Sequence, residues 1–356
     1  MIDLLVIGGG IASAAAVIAL KGSGRSVVVL SPLADRSGDK IGESLSPAAN
    51  PELKKLGLWE EFRKQGHQEA QSSYSAWGMS QVTERSAISQ LDGAGWQIDR
   101  QRFEEWLWKQ ATGEFQPSWS TFREGERING GWLVTTGSGE GLEARMVLDC
   151  SGRGAVFGRH QAERMRKDRQ MAAWMVLSQV DCGIEPTAGS MIESRPDGWW
   201  YSALLPDRRL VISKFFDADL LDEGVPRNFE RWKSSVEEAE FTRLRIETAG
   251  YELSGLPVLA DASTRWLSEA AGENWAAAGD AASAFDPLSS HGMTTALWSG
   301  RKAALALDRE LDGEIGALKE YAEEMKAGVE AFLKQRRQIY AMETRFADEE
   351  FWKRRI

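Results

Sequence analysis

The chain opens on an apolar run, Ile2 to Ile7 (IDLLVI), that stops at Gly8-Gly9-Gly10 and gives way to IASAAAVIAL, an Ala-rich helix former. Ser26 to Leu30 (SVVVL) follows as a β-branched strand. Strand, turn, helix and strand in that order predict a βαβ unit, whose strands lie parallel with a right-handed crossover. Residues 52–65 and 99–111 carry helical charge and apolar spacing, whereas Leu133 to Thr136, Ala144 to Asp149 and Met171 to Val180 read as strands. From Ser190 the pattern changes to SMIE, WWYSALL and LVISKFF joined by turn residues, which predicts an antiparallel meander. Trp275 to Ala278 is a further short strand ended by Gly279-Asp280. A helix is expected to start near Ser289 or Ser290 with Met293, Ala296, Leu297, Gly300 and Ala304 on one face. The end of the chain repeats that spacing at Ile315, Leu318, Ala322, Met325, Val329 and Phe332. The fold class is therefore α/β, with an inserted antiparallel sheet and a helical C-terminus.

At 356 residues the chain fits two interleaved domains. The expected division places 1–70, 96–160 and 255–310 in one, 71–95 and 161–254 in the other, and C-terminal helices in 311–356. A net charge of −10 disfavours a phosphate backbone as main partner, so no nucleic acid is expected. Two cysteines, Cys150 and Cys182, cannot build a disulfide framework, and His67, His160 and His291 lack close metal-ligand spacing, so no metal is expected. The stretch Ile2 to Leu20 could pass for a signal or membrane segment, but Asp3 replaces the basic start and the glycines break it after one strand length. The reading is a cytoplasmic protein that does not engage a membrane.

Gly8-Gly9-Gly10-Ile11-Ala12-Ser13 sits where a dinucleotide fingerprint belongs. Gly8 permits the tight turn, Gly10 admits a pyrophosphate to the backbone, and the helix start at Ile11 and Ala12 supplies N–H donors. Ser13 replaces the third glycine, and Ser31 stands where an acidic ribose ligand is usual. Two further strand ends, Asp149-Cys150-Ser151-Gly152 and Gly279-Asp280, are expected at the same sheet edge, completing a crevice long enough for a dinucleotide.

With GGGIAS, Gly42-Glu43-Ser44-Leu45-Ser46-Pro47, Asp99-Arg100-Gln101-Arg102-Phe103, DCSGR, GDAASAFDPLSSHGM and the tail YAMETRFADEEFWKRR, most of the chain resembles FAD-dependent monooxygenases of the tryptophan halogenase-like group. The resemblance implies a Rossmann-type FAD-binding domain with an inserted antiparallel-sheet substrate domain. It implies that Asp280, after Gly279, binds the ribityl chain, that Glu43, Ser44, Arg102 and Gly152 lie along FAD, and that Pro287, Ser290, Gly292 and Met293 face the flavin ring. Halogenases of the group carry a Trp-x-Trp-x-Ile-Pro motif and a lysine. Here Gly198 to Pro206 reads GWWYSALLP, and residues 65–108 contain no lysine. Gly66-His67, Ser75-Ala76-Trp77-Gly78 and the Ser-Ser-His-Gly-Met string instead resemble maturation flavoproteins of the LodB and GoxB type. Those help convert a Trp of a partner amine oxidase into cysteine tryptophylquinone (CTQ).

The expectation is therefore an FAD-dependent monooxygenase acting on a Trp side chain of a quinone-cofactor oxidase precursor. A single dinucleotide fingerprint leaves reduction to NAD(P)H directly or to a separate flavin reductase. Two alternatives stand beside it: a hydroxylase or halogenase of a free small aromatic compound, and a flavin-binding maturation chaperone. Hydroxylation needs groups that move protons. Glu43, Asp286 and His291 are the catalytic candidates, against the plainer readings of a cap, a turn-initiating Asp and a helix start. His67 reads as structural and Cys150 as a small buried residue. Trp199, Trp200 and Tyr201 lie on an alternating strand, some facing the core and some able to line a substrate roof. Arg336-Arg337 and Lys353-Arg354-Arg355 read as solvated helix faces.

Overall fold

The computed structural model describes residues 1–32, 40–86, 93–180, 183–222 and 224–356; Cys182 lies outside the described residues. The βαβ unit forms as Ile2–Ile7, Ile11–Ala19 and Val27–Leu30. The helix is Ala-rich because it is buried on nearly every side. Its small side chains let the helix Gly292–Leu311 approach so closely that a Cβ on Gly300 would sit 2.2 Å from the Ala12 carbonyl oxygen.

Five strands of the larger sheet run parallel in the order Trp275–Ala277, Gly141–Asp149, Ile2–Ile7, Val27–Leu30 and Gln116–Ser118. Ile7 pairs with both Asp149 and Leu30, and Asp149 with Ala277. Four strand ends thus stop level at one carboxyl edge, where doubly wound sheets bind ligands.

The second sheet has seven strands in the order Val258–Asp261, Gln170–Leu177, Leu210–Asp217, Gly198–Leu204, Ser190–Arg195, Ser72–Ala76 and Thr83–Ser86, with the expected meander at its centre. One face is covered by the helices Phe229–Glu237 and Glu240–Thr248, with Trp200 packed on Trp232 at 5.1 Å between ring centroids. Val258–Asp261 belongs to this sheet, although it falls in the 255–310 segment expected beside the nucleotide. Backbone pairing to Gln170–Leu177 decides its place, which local pattern does not report.

Two C-terminal expectations are corrected. Ile315 does not join the apolar face of the last long helix, Ala317–Ala341; it lies before the helix and is 95% exposed. Arg336 and Arg355 are not solvated. Both are buried: Arg336 donates through Nε to Asp286 at 2.9 Å and through Nη2 to the half-buried Asp168 at 2.9 Å, and Arg355 donates through Nη2 to Asp217 at 2.5 Å. The tail is thereby fastened to both the meander and the groove wall. Arg337, Lys353 and Arg354 remain exposed, as expected.

Candidate active site

A cavity of about 290 Å³ opens at the carboxyl edge of the parallel sheet and continues under the antiparallel sheet. Its floor is the first helix start, Gly10, Ile11 and Ala12, joined by Gly152, Gly279 and Asp280 from the other two strand ends. Three of its glycines, Gly10, Gly152 and Gly292, have nothing within 4 Å of where a Cβ would stand. The backbone is thus bare toward the groove, as close approach of a diphosphate requires. Gly8 does something else: its φ of +120° and the Cys150 carbonyl oxygen, 2.3 Å from a built Cβ, make it a turn and packing residue outside the groove. Ser13 is fully buried beneath the helix start and does not line the groove.

Asp149 shapes the second strand end. Its carboxylate accepts from the amides of Ser151 at 2.9 Å, Phe157 at 2.9 Å and Gly158 at 2.7 Å, folding the loop that carries Gly152 and Arg153. Arg153 lines the groove and reaches Asp280 at 3.5 Å and Asp261 at 3.8 Å. Burial, and then the neighbouring Asp149, push the Cys150 thiol well up, as befits a small buried residue at this strand end.

A second cavity, about 460 Å³, lies across the glycine turn and is lined by Gly9, Ser31, Glu105, Trp108, Phe115 and Trp119, among others. Trp108 donates through Nε1 to the Gly9 carbonyl at 2.8 Å, tying this apolar pocket to the turn. Ser31 is therefore at the far end of the crevice, in a stacking environment.

At the other end, Glu43 and Ser44 meet the antiparallel sheet. Glu43 is 3% exposed and accepts from the Gly42 amide at 3.0 Å. Burial pushes its carboxyl above the usual range, opposed by hydrogen bonds from Tyr201 and backbone amides and by the Arg100 charge. The Tyr201 hydroxyl lies 2.7 Å from Ser44 Oγ, which donates to Gln97 Oε1 at 3.0 Å. Trp199, Tyr201, Ser213 and Phe215 line this end, with Trp199 stacked on Phe215 at 4.0 Å. Strand alternation turns Trp200 to the opposite face.

Arg102 is not a groove residue. Its amide is capped by Asp99 at 2.9 Å and its guanidinium lies beside Gly66; the groove receives Arg100 instead, whose Nη1 donates to the Ile41 carbonyl at 3.0 Å. Two residues on a helix differ by about 200° in direction, which separates their faces. Asp286, Pro287, Ser290, Gly292 and Met293 line the groove, but His291 between them does not. Ser290 holds a left-handed φ of 52°. Asp286 accepts from the Leu288 amide at 3.0 Å, Arg336 and Tyr340 OH, the latter at 2.9 Å. Held by these donors, it anchors the turn.

His67 sits 9% exposed between Phe62 and Phe103, with neither ring nitrogen hydrogen-bonded among the described residues. Burial, then the Arg102 charge, pulls its pKa from 6.5 to about 4. Between those values the unfolded chain binds the proton and the folded chain does not, so stability falls as pH drops through that window, by at most about 3 kcal/mol. His67→Phe is expected to remove that acid-side loss, seen as a flatter stability profile in urea unfolding below pH 6.5; an unchanged profile would assign the loss to other groups.

The arrangement of parallel-sheet cradle, antiparallel roof and helical C-terminus is the fold of FAD-dependent halogenases and monooxygenases. The myxobacterial chondrochloren halogenase CndH superposes over 99% of this chain and 85% of its own with a TM-score of 0.88 at 19% identity. The peptidyl tryptophan dihydroxylase QhpG, essential for tryptophylquinone cofactor biogenesis, does so over 99% and 78% with a TM-score of 0.77 at 23% identity. In sequence the chain is similar to LodB of Marinomonas mediterranea, named as an FAD-dependent oxidoreductase, at 27% identity over 99% of this chain and 96% of that one. No protein-family model matches the chain. No described helix is long and apolar enough to cross a membrane.

Proposed function

We propose that the chain is an FAD-dependent monooxygenase that hydroxylates a tryptophan side chain of a partner oxidase precursor during CTQ biogenesis. The carrying observation is one continuous groove from the bare glycine cradle to the Trp199, Tyr201 and Phe215 wall, with the buried Glu43 at the junction. Similarity to LodB along nearly the whole chain and the fold shared with QhpG support it.

The residues present fit FAD. Gly10, Ile11 and Ala12 would hold the diphosphate, Asp280 the ribityl hydroxyls, and the Pro287 to Met293 turn the flavin edge, where the amides of a helix start stabilise negative charge. The Trp108 pocket would take the adenine. When bound and reduced, FAD supplies two electrons to O₂, so that one oxygen atom enters the indole ring and the other leaves as water. The aromatic wall binds the indole and excludes water. Glu43 delivers a proton at its carboxyl, and Tyr201 orients it. Asp286, held by Arg336 and Tyr340, keeps the turn in register.

FAD titration of the purified protein is expected to quench flavin fluorescence and raise Tm. On co-expression with a precursor, its Trp should gain oxygen with the wild type and not with Asp280→Ala. Normal maturation by Asp280→Ala would replace this reading with a chaperone. Turnover of a free indole or phenol, or halide incorporation, without precursor would replace it with a small-molecule enzyme.

A further inference from the structure

The chain is acidic overall, yet cations gather at one side of the groove mouth. Arg153 lines the groove, and its carbonyl accepts from the Arg164 guanidinium. Arg164–Arg166 is an edge strand of a three-stranded sheet, and Arg166 stands directly opposite Arg265. Arg265 pairs with Asp261, itself a groove residue. Burial lowers the pKa of Arg265, its partner Asp261 raises it, and the nearby Arg166, Arg164 and Arg153 lower it again.

The inner two cations, Arg153 and Arg265, have carboxylate partners. The outer three do not: Arg164, Arg166 and Lys167 are exposed and make no ion pair among the described residues. Among the described residues the Arg166 side chain is held through Nε on the Asp168 carbonyl at 2.7 Å. Unpaired like charges repel, and a partner of opposite sign relieves that repulsion while steering encounter.

We propose that this arginine strip docks an acidic, extended polypeptide segment of the protein whose tryptophan enters the groove; the proposal rests on the monooxygenase reading for the identity of that protein. Geometry favours a polypeptide over a small anion. Arg164 and Arg166 are alternate residues of a strand, so they share a side and lie about 6.6 Å apart along it, the repeat of alternate side chains in an extended chain. The strand's outer edge also has no neighbour in its sheet among the described residues, so it offers backbone groups to such a segment.

The test is fluorescence anisotropy with a labelled peptide of alternating Asp and Thr, its Asn and Thr counterpart serving as control. The Asp peptide is expected to bind saturably, more weakly as salt rises. Arg164→Glu/Arg166→Glu should weaken it about tenfold or more, and Arg164→Gln/Arg166→Gln by less. The charge-matched Lys319→Glu/Lys326→Glu, placed about 15 Å or more along the helix Ala317–Ala341 from the Arg336 that contacts Asp168, should leave it unchanged, and equal Tm values would show that all three fold. Equal binding of both peptides, or an unaffected charge-reversal variant, would overturn the proposal. So would displacement of the peptide by inorganic phosphate or FAD, or tighter binding of a single-stranded oligonucleotide at the same arginines. Binding is read without turnover, so its failure leaves the monooxygenase reading standing, and failure to bind FAD leaves the docking result standing.

Discussion

Gly10→Val is expected to weaken FAD binding at least a hundredfold with little change in stability, whereas Gly8→Ala, two residues earlier, is expected to destabilise the fold. The contrast follows from what each missing Cβ faces. Gly10 has an extended backbone, φ −94° and ψ −165°, which a β-branched residue adopts readily, and open groove on its side-chain side. Valine there would stand where the diphosphate must reach the amides of the helix start, and a hundredfold loss corresponds to about 2.7 kcal/mol. Gly8 combines a φ of +120° with a backbone oxygen 2.3 Å from the new atom. Backbone strain and overpacking together are expected to cost about 3 kcal/mol or more. Fluorescence titration and chemical denaturation of the same two proteins separate the effects. Unchanged FAD affinity in Gly10→Val would mean that the cofactor does not cross this turn.

That difference between two neighbouring glycines marks the boundary of what a sequence reading reaches. The βαβ unit, the meander and the helix at Gly292 were readable because each is encoded by local period and turn residues. The convergence of the strand ends followed from parallel topology, which needs no long-range information beyond strand order. Side-chain direction was a different matter. In Asp99-Arg100-Gln101-Arg102 both arginines are equally good anion partners on paper, and only the helix orientation set by the Asp99 cap puts Arg100 at the groove. Tyr201 and Trp200 were ambiguous because both faces of their strand are covered, so hydrophobicity does not distinguish them. In sequence Arg336 and Arg355 read as solvated because charge usually marks the surface. Their partners Asp286, Asp168 and Asp217 lie 50, 168 and 138 residues away, a separation that no local pattern reports.

Glu43→Gln is expected to fold normally, bind FAD and lose about a hundredfold or more in turnover, the usual cost of deleting a proton-transfer group. The hydrogen-bond directions differ between the two protonation states of Glu43. Ser44 has one hydroxyl proton, and it donates to Gln97 Oε1 only if Tyr201 donates to Ser44. Tyr201 is then left with an acceptor toward Glu43, which a protonated carboxyl satisfies and a carboxylate does not. Ionisation reverses the chain: Tyr201 turns its proton to Glu43, Ser44 turns to Tyr201, and Gln97 loses its donor. The Tyr201 donor that the carboxylate gains opposes burial, and burial is the larger effect, so the Glu43 carboxyl stays above its usual range. A glutamine amide keeps the donor toward Tyr201 and removes only the titration. The signs follow. The folded chain retains the Glu43 proton above 4.5, where the unfolded chain releases it, so wild-type stability falls as pH rises from 4.5 through the raised folded value and levels off above it. Glu43→Gln should lack that slope. As a proton donor Glu43 should also make wild-type turnover fall through the same raised value, while the residual turnover of Glu43→Gln stays flat there. A variant with wild-type turnover and an unaltered pH profile would remove Glu43 from the chemistry and leave it a buried support for the Gly42 loop.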